Sequence, residues 1–239
     1  MTTRQLERRF RVPLYSLADA ARHIAVPRTT FDTWVRGYER QRDSGPTTLG
    51  EPIVTAVEAP RGEPRIPFIG LAEGFVLASF RAAGVPLQRI RPAVEALERE
   101  LGIEHALASE QLYTDGAEVL YNSASTHDDR PEGRAVMDLV APRSGQRVFV
   151  PVVERYLKRI KFDTGYAGVL ALPQYRRAEV IVDPRRSFGL PIFASGAARV
   201  EVVLGRFKAG ESVEELSEEF GVPVDDLVDV IRVHTDAAA

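Results

Sequence analysis

Arg28, Thr29, Thr30, Thr33 and Arg36 fall within nine consecutive residues and combine two chemistries. Hydroxyl groups donate to and accept from base edges, and guanidinium groups fork onto phosphate oxygens or guanine. Arg4, Arg8 and Arg9 precede them as a basic arm for phosphates, and residues 1–42 carry nine arginines against four acidic residues. The far end is the reverse, with three basic and nine acidic side chains in residues 205–239. A polyanion attracted to the front is therefore repelled by the tail, although the formal net charge is only -3. A second arginine group, Arg176, Arg177, Arg185 and Arg186, precedes the acidic stretch and can fork onto carboxylates.

Other chemistries find little support. The sequence has no Ser/His/Asp order, no glycine-rich phosphate loop and no spaced set of histidines and carboxylates, so no catalytic site is expected. Cysteine is absent, which excludes thiolate metal sites, and neither a metal nor a cofactor is expected. His127-Asp128-Asp129 reads as loop, because adjacent residues in a Ser/Thr/Asp/Pro/Gly stretch cannot converge on one ion. No run of about 18 apolar residues occurs, and the N-terminus has no apolar segment of the secretory kind. A cytoplasmic protein with no membrane partner is expected.

Short helices must position the basic residues. Ser16 is a capping hydroxyl before Leu17, Ala20, Ala21 and Ile24 at helical spacing, with His23 on the outer side. After the Ala25-Val26-Pro27 break, residues 29–36 read as a second helix ended by Gly37, with Phe31 and Trp34 inward. Its polar residues are left facing solvent, the arrangement of a helix-turn-helix whose second helix can enter a major groove. Glu51–Val57 and Arg65–Phe68 around Pro60-Arg61-Gly62 predict a hairpin wing, and residues 68–90 predict helix, Gly-Val-Pro break and helix. Gln111–Thr114 and Val119–Tyr121 around Asp115-Gly116 predict another hairpin, and Pro151–Phe162 a basic amphipathic helix that packs on the core or on a dimer mate. A strand at 180–182 then leads to three helices: 200–209, a helix capped by Ser212 with Glu215 at the capping-box position, and 224–234, which presents Asp225, Asp226 and Asp229.

Two resemblances follow from these motifs. Residues 14–101, with Trp34, Tyr38, a wing and Ala82-Ala83-Gly84-Val85-Pro86-Leu87, resemble MerR-type winged helix-turn-helix regulators. The C-terminal stretch resembles a small VapB-like antitoxin domain of formerly unknown function, in Val182-Asp183-Pro184, Phe188-Gly189-Leu190-Pro191, Gly210–Leu216 and Phe220-Gly221-Val222. It departs at Ala194–Ala198, where relatives carry a Gly-Thr-Arg turn.

The expected fold is mostly α with short β hairpins. A winged helix-turn-helix DNA-binding domain spans residues 1–101, a connecting and dimerisation region 102–179, and a small three-helix bundle 180–239. The resemblance implies the antitoxin of a type II toxin–antitoxin pair. Such a protein neutralises a PIN-domain ribonuclease of the VapC type and represses its own operon, as a homodimer or a larger assembly with toxin on operator DNA. Arg176, Arg177, Arg185 and Arg186 are the candidate toxin contacts. The competing expectation is a stand-alone MerR-like regulator with a small-molecule effector.

Overall fold

The computed structural model describes residues 9–42, 45–60, 62–114 and 158–236. The first half holds α1 (Leu17–His23), α2 (Arg28–Arg36), the strands β1 (Tyr38–Arg42) and β2 (Gly45–Gly50), α3 (Phe68–Ala82) and α4 (Leu87–Leu101). A 3-10 turn at Ala106–Ala108 and one helical turn, α5 (Gln111–Thr114), follow. The second half holds β3 (Ile160–Asp163), β4 (Tyr166–Ala171), β5 (Val180–Val182) and β6 (Ile192–Phe193), then α6 (Val200–Lys208), α7 (Val213–Phe220) and α8 (Val224–Asp236). The fold is mostly helical with short antiparallel strands, as the sequence predicts.

Local chemistry sets the helix ends. Ser16 Oγ accepts the Asp19 amide at 3.1 Å and starts α1. At α7 the expected capping box forms, with the Glu215 amide donating to Ser212 Oγ and the Ser212 amide to the Glu215 carboxylate. α4 and α7 end at Gly102 and Gly221, both left-handed.

α3 is the organising element, because Phe68, Ile69, Leu71, Ala72, Phe75, Val76, Leu77 and Phe80 leave it apolar around most of its circumference. It must be surrounded, and two glycines make the close approaches possible. A Cβ at Gly70 would lie 2.1 Å from the Thr55 carbonyl oxygen, and one at Gly74 2.5 Å from Phe31 Cε2. The extended chain before α3 and the helix α2 thus lie directly against it.

The strands of the second half form one antiparallel sheet in the order β3-β4-β5-β6. The sheet runs across residue 180, so residues 160–171 complete the surface to which β5 and β6 belong. The Glu110 amide donates to the Gly165 carbonyl at 2.8 Å, tying the end of the first half to the β3–β4 turn.

Three local expectations are corrected. The hairpin after α2 is β1–β2, with Tyr38 opposite Gly50, while Glu51–Val57 and Arg65–Phe68 form no ladder with each other beyond one bond, Val57 amide to Arg65 carbonyl at 2.8 Å. Arg65 and Ile66 pair instead with Tyr15, because the apolar Tyr15 and Ile66 side chains share the core there. Gln111–Thr114 is helical rather than a strand; Leu112 is buried, and the Ser109 hydroxyl accepts the Gln111 amide at 3.2 Å and starts the turn. Ile160–Asp163 is a strand rather than the end of a helix, because it pairs with β4. Val119–Tyr121, residues 151–157 and His127-Asp128-Asp129 lie outside the described residues.

Candidate nucleic-acid interface

α2 packs through Phe31, Trp34 and Val35, all buried, with the Phe31 and Trp34 rings edge to face at 6.1 Å. That fixes its outer surface. Thr29 and Arg36 are exposed on the opposite side, Arg28 is exposed at the first turn, and Thr33 and Asp32 are half-buried beside them. Thr33 Oγ1 donates to the Thr29 carbonyl at 2.9 Å, and Arg36 Nε pairs with Asp32 at 2.7 Å. Thr30, like Thr33, is half-buried; it lies at the flank and lines a groove with Trp34, Phe75 and Ala78 between α2 and α3. Pro27 offers the start of α2 no side-chain cap, so the first-turn amides keep their bonding capacity. Downstream, the Ile53 and Val54 amides donate to the Trp34 carbonyl at 2.9 and 3.2 Å and fold the chain back onto the end of α2.

Arg9 is not part of a phosphate arm. It is 1% exposed, donating to the Asp163 carbonyl at 2.7 Å and pairing with its carboxylate at 3.1 Å. A guanidinium leaves water only for such fixed acceptors, and Asp163 supplies both. Burial is the main influence on Arg9 and lowers its pKa, against the pull of Asp163. Arg4 and Arg8 lie outside the described residues.

His23 is likewise corrected from surface to half-buried. Its ring meets Tyr15 edge-on at 5.6 Å, and burial pushes its pKa down to about 4, so it is neutral at physiological pH. A buried carboxylate that the sequence did not single out is Glu73, in mid-α3 and 4% exposed. It accepts the Thr55 amide at 2.6 Å and the Thr55 hydroxyl at 3.0 Å, and lies 2.8 Å from His105 Nδ1. Burial pulls His105 down, but the hydrogen bond and charge of Glu73 outweigh it and hold the imidazole above its ordinary pKa. These residues line a cleft of about 730 Å³ together with Glu58, Glu95, Glu98, Glu104 and Arg91.

The second arginine group is spread along two turns. Asp229, expected on the outer face of α8, is 1% exposed and accepts the amides of Arg176, Arg177 and Ala178 at 2.8, 2.8 and 3.2 Å. Those three bonds hold its carboxyl below the usual range despite burial. The Arg176 and Arg177 side chains project from this anchored loop, and Arg177 pairs with Asp225 at 2.9 Å across exposed surface. Arg185 bridges Asp163 at 3.0 Å and Asp183 at 3.1 Å, whereas Arg186 is exposed with no ion pair among the described residues. Among the described residues no three histidines or carboxylates converge to hold a metal ion, and no helix is long and apolar enough to cross a membrane.

Residues 13–94 match a family described as "Putative DNA-binding HTH domain", and residues 180–232 match "Protein of unknown function (DUF433)". The chain is 47% identical over 230 residues to the Mycobacterium tuberculosis protein "Putative antitoxin VapB45", covering 95% of this chain and 96% of that one. The crystal structure of Rv2018 from Mycobacterium tuberculosis matches with a TM-score of 0.78 at 44% identity, over 93% of this chain and 99% of that chain. With its helix-turn-helix front and this relationship over nearly its whole length, the chain belongs to the VapB-type antitoxins.

Proposed function

We propose that this chain is the antitoxin of a type II toxin–antitoxin pair, binding and neutralising a PIN-domain ribonuclease of the VapC type and repressing its own operon. The observation that carries the DNA half is the polar face of α2, with Thr29 and Arg36 exposed opposite buried Phe31 and Trp34. As a cytoplasmic homodimer the protein sets two copies of α2 in successive major grooves of a palindromic operator. Arg28, Thr29, Thr33 and Arg36 make the contacts, and the first-turn amides add phosphate bonds. The acidic tail is repelled by phosphate and is left to the toxin side, where Arg176, Arg177 and Arg186 present unburied guanidinium groups.

The test is co-expression with the product of the adjacent gene, followed by pull-down, a ribonuclease assay and anisotropy titration of the upstream DNA. Co-purification with suppressed cleavage and nanomolar operator binding is expected. A neighbour that does not bind removes the antitoxin reading. The cleft lined by Glu58, Glu95 and Glu98 then favours a stand-alone MerR-like regulator with a small-molecule effector.

A further inference from the structure

Phe188 is 74% exposed, the most exposed of the large apolar side chains among the described residues. Its backbone is left-handed, φ 56° and ψ 31°, between Ser187 at φ 47° and Gly189 at φ 75°. Two consecutive non-glycine residues in that region are disfavoured by the contact of Cβ with the following carbonyl. The exposed ring gains no burial in return.

The turn is nevertheless built to stay as it is. Asp183, 4% exposed, accepts the Arg185 amide at 2.9 Å, and the Asp183 carbonyl accepts the Arg186 amide at 2.9 Å. The Gly189 amide donates to the Arg186 carbonyl and the Leu190 amide to the Ser187 carbonyl. From the opposite side the buried Tyr15 hydroxyl donates to the Gly189 carbonyl at 2.9 Å, and a Cβ at Gly189 would meet Tyr15 Oη at 2.8 Å. A strained turn, fixed on both sides and presenting an aromatic ring to water, is a preformed anchor.

We propose that Phe188 is the anchor by which this chain grips the ribonuclease of the proposed function, seating in an apolar pocket of that protein with an acidic rim. The occupant follows from charge. Arg186, two residues before Phe188, is exposed with no ion pair among the described residues, so the rim that complements it is anionic. Nucleic acid fits less well, because Asp163 and Asp183 already hold Arg185, and a single guanidinium, Arg186, is a small attraction for a polyanion. This inference rests on the toxin reading and assigns its central contact.

The test uses the full chain and the purified neighbour-encoded ribonuclease, with affinity read by calorimetry and stability by thermal melting. Phe188→Gly is expected to raise Tm by a few degrees, because glycine adopts this backbone freely, while weakening the complex at least tenfold. Phe188→Trp retains binding, Arg186→Gln weakens it severalfold and most at low salt, and operator affinity is unchanged throughout. A residue with only a structural role cannot raise stability and lose the partner together. If the wild-type chain fails to bind the ribonuclease, the toxin reading falls and this proposal with it. If wild type binds and Phe188→Gly binds equally well, the anchor alone is overturned. Loss of operator affinity, or of self-association measured by sedimentation, with toxin binding intact reassigns the ring to DNA or to a second copy and also overturns it.

Discussion

Single side chains in this protein divide by what the surrounding water can still reach. Arg36 is exposed and shares its charge with Asp32, so in the proposed operator contact it acts as one partly neutralised cation. Arg36→Ala is expected to weaken operator binding about tenfold and to reduce the salt slope by about 1 per protomer. Anisotropy titrations at several salt concentrations check this, and an equal loss on unrelated DNA identifies a phosphate contact rather than a base contact. Glu73 is the opposite case, a carboxylate 4% exposed whose oxygens serve Thr55 and His105. Glu73→Ala leaves the Thr55 amide without its acceptor and is expected to destabilise the fold by about 2–3 kcal/mol in urea unfolding. The sequence could not announce Glu73, because an acid inside an apolar helix reads as a solvated position until the segment packed on it is known. Arg9 was hidden for the same reason, since its partner Asp163 lies 154 positions away.

At the level of elements, the proposed DNA interface depends on α2 sitting flush on α3, and Gly74 is the residue that allows it. Adding a methyl group there meets Phe31 at 2.5 Å and Ile24 Cδ1 at 3.2 Å, both in tightly packed core. Gly74→Ala is expected to cost about 1–3 kcal/mol and to weaken operator binding in parallel, by tilting α2 away from its seat. Gly205, in α6, has open space around its Cβ position. Gly205→Ala is therefore expected to stabilise the protein by about 0.5–1 kcal/mol, and thermal melts of the two variants separate a packing effect from a helix-propensity effect. The helices of the two ends were legible because their signals are local: the Ser16 cap, the Ser212/Glu215 box, and the Gly84-Val85-Pro86 break between α3 and α4. The strands were less so. Tyr38–Arg42 and Gly45–Gly50 lack apolar alternation, and Ile160–Asp163 becomes a strand only because β4 lies beside it. Which strand becomes the partner is a long-range property, and the local pattern fixes register only once that partner is in place.

Across the whole molecule, the helix-turn-helix front and the acidic tail are joined by a seam of titratable groups. Arg22 and His23 close α1, and the charges of both His234 and Arg22 bear on His23. Across the seam, the Tyr175 hydroxyl lies 2.9 Å from His234 Nε2, and burial pushes Tyr175 up to about 12. Burial also lowers His234, with Arg22 adding to the effect, so the surroundings of both imidazoles favour the neutral form. The folded His23 titrates near 4 against an ordinary value of 6.5, so the unfolded chain binds more protons in that window. Stability from neutral His23 is complete above pH 6.5 and is lost progressively as pH falls toward 4. At pH 5 the loss reaches about 1–2 kcal/mol. His23→Gln, which cannot titrate, is expected to unfold with a flatter dependence between pH 7 and 5, even though losing the edge contact with Tyr15 lowers its stability at pH 7. Urea titrations at pH 7, 6 and 5 measure the difference directly. Parallel slopes for variant and wild type would show that His23 takes up its proton alike in the folded and unfolded chain.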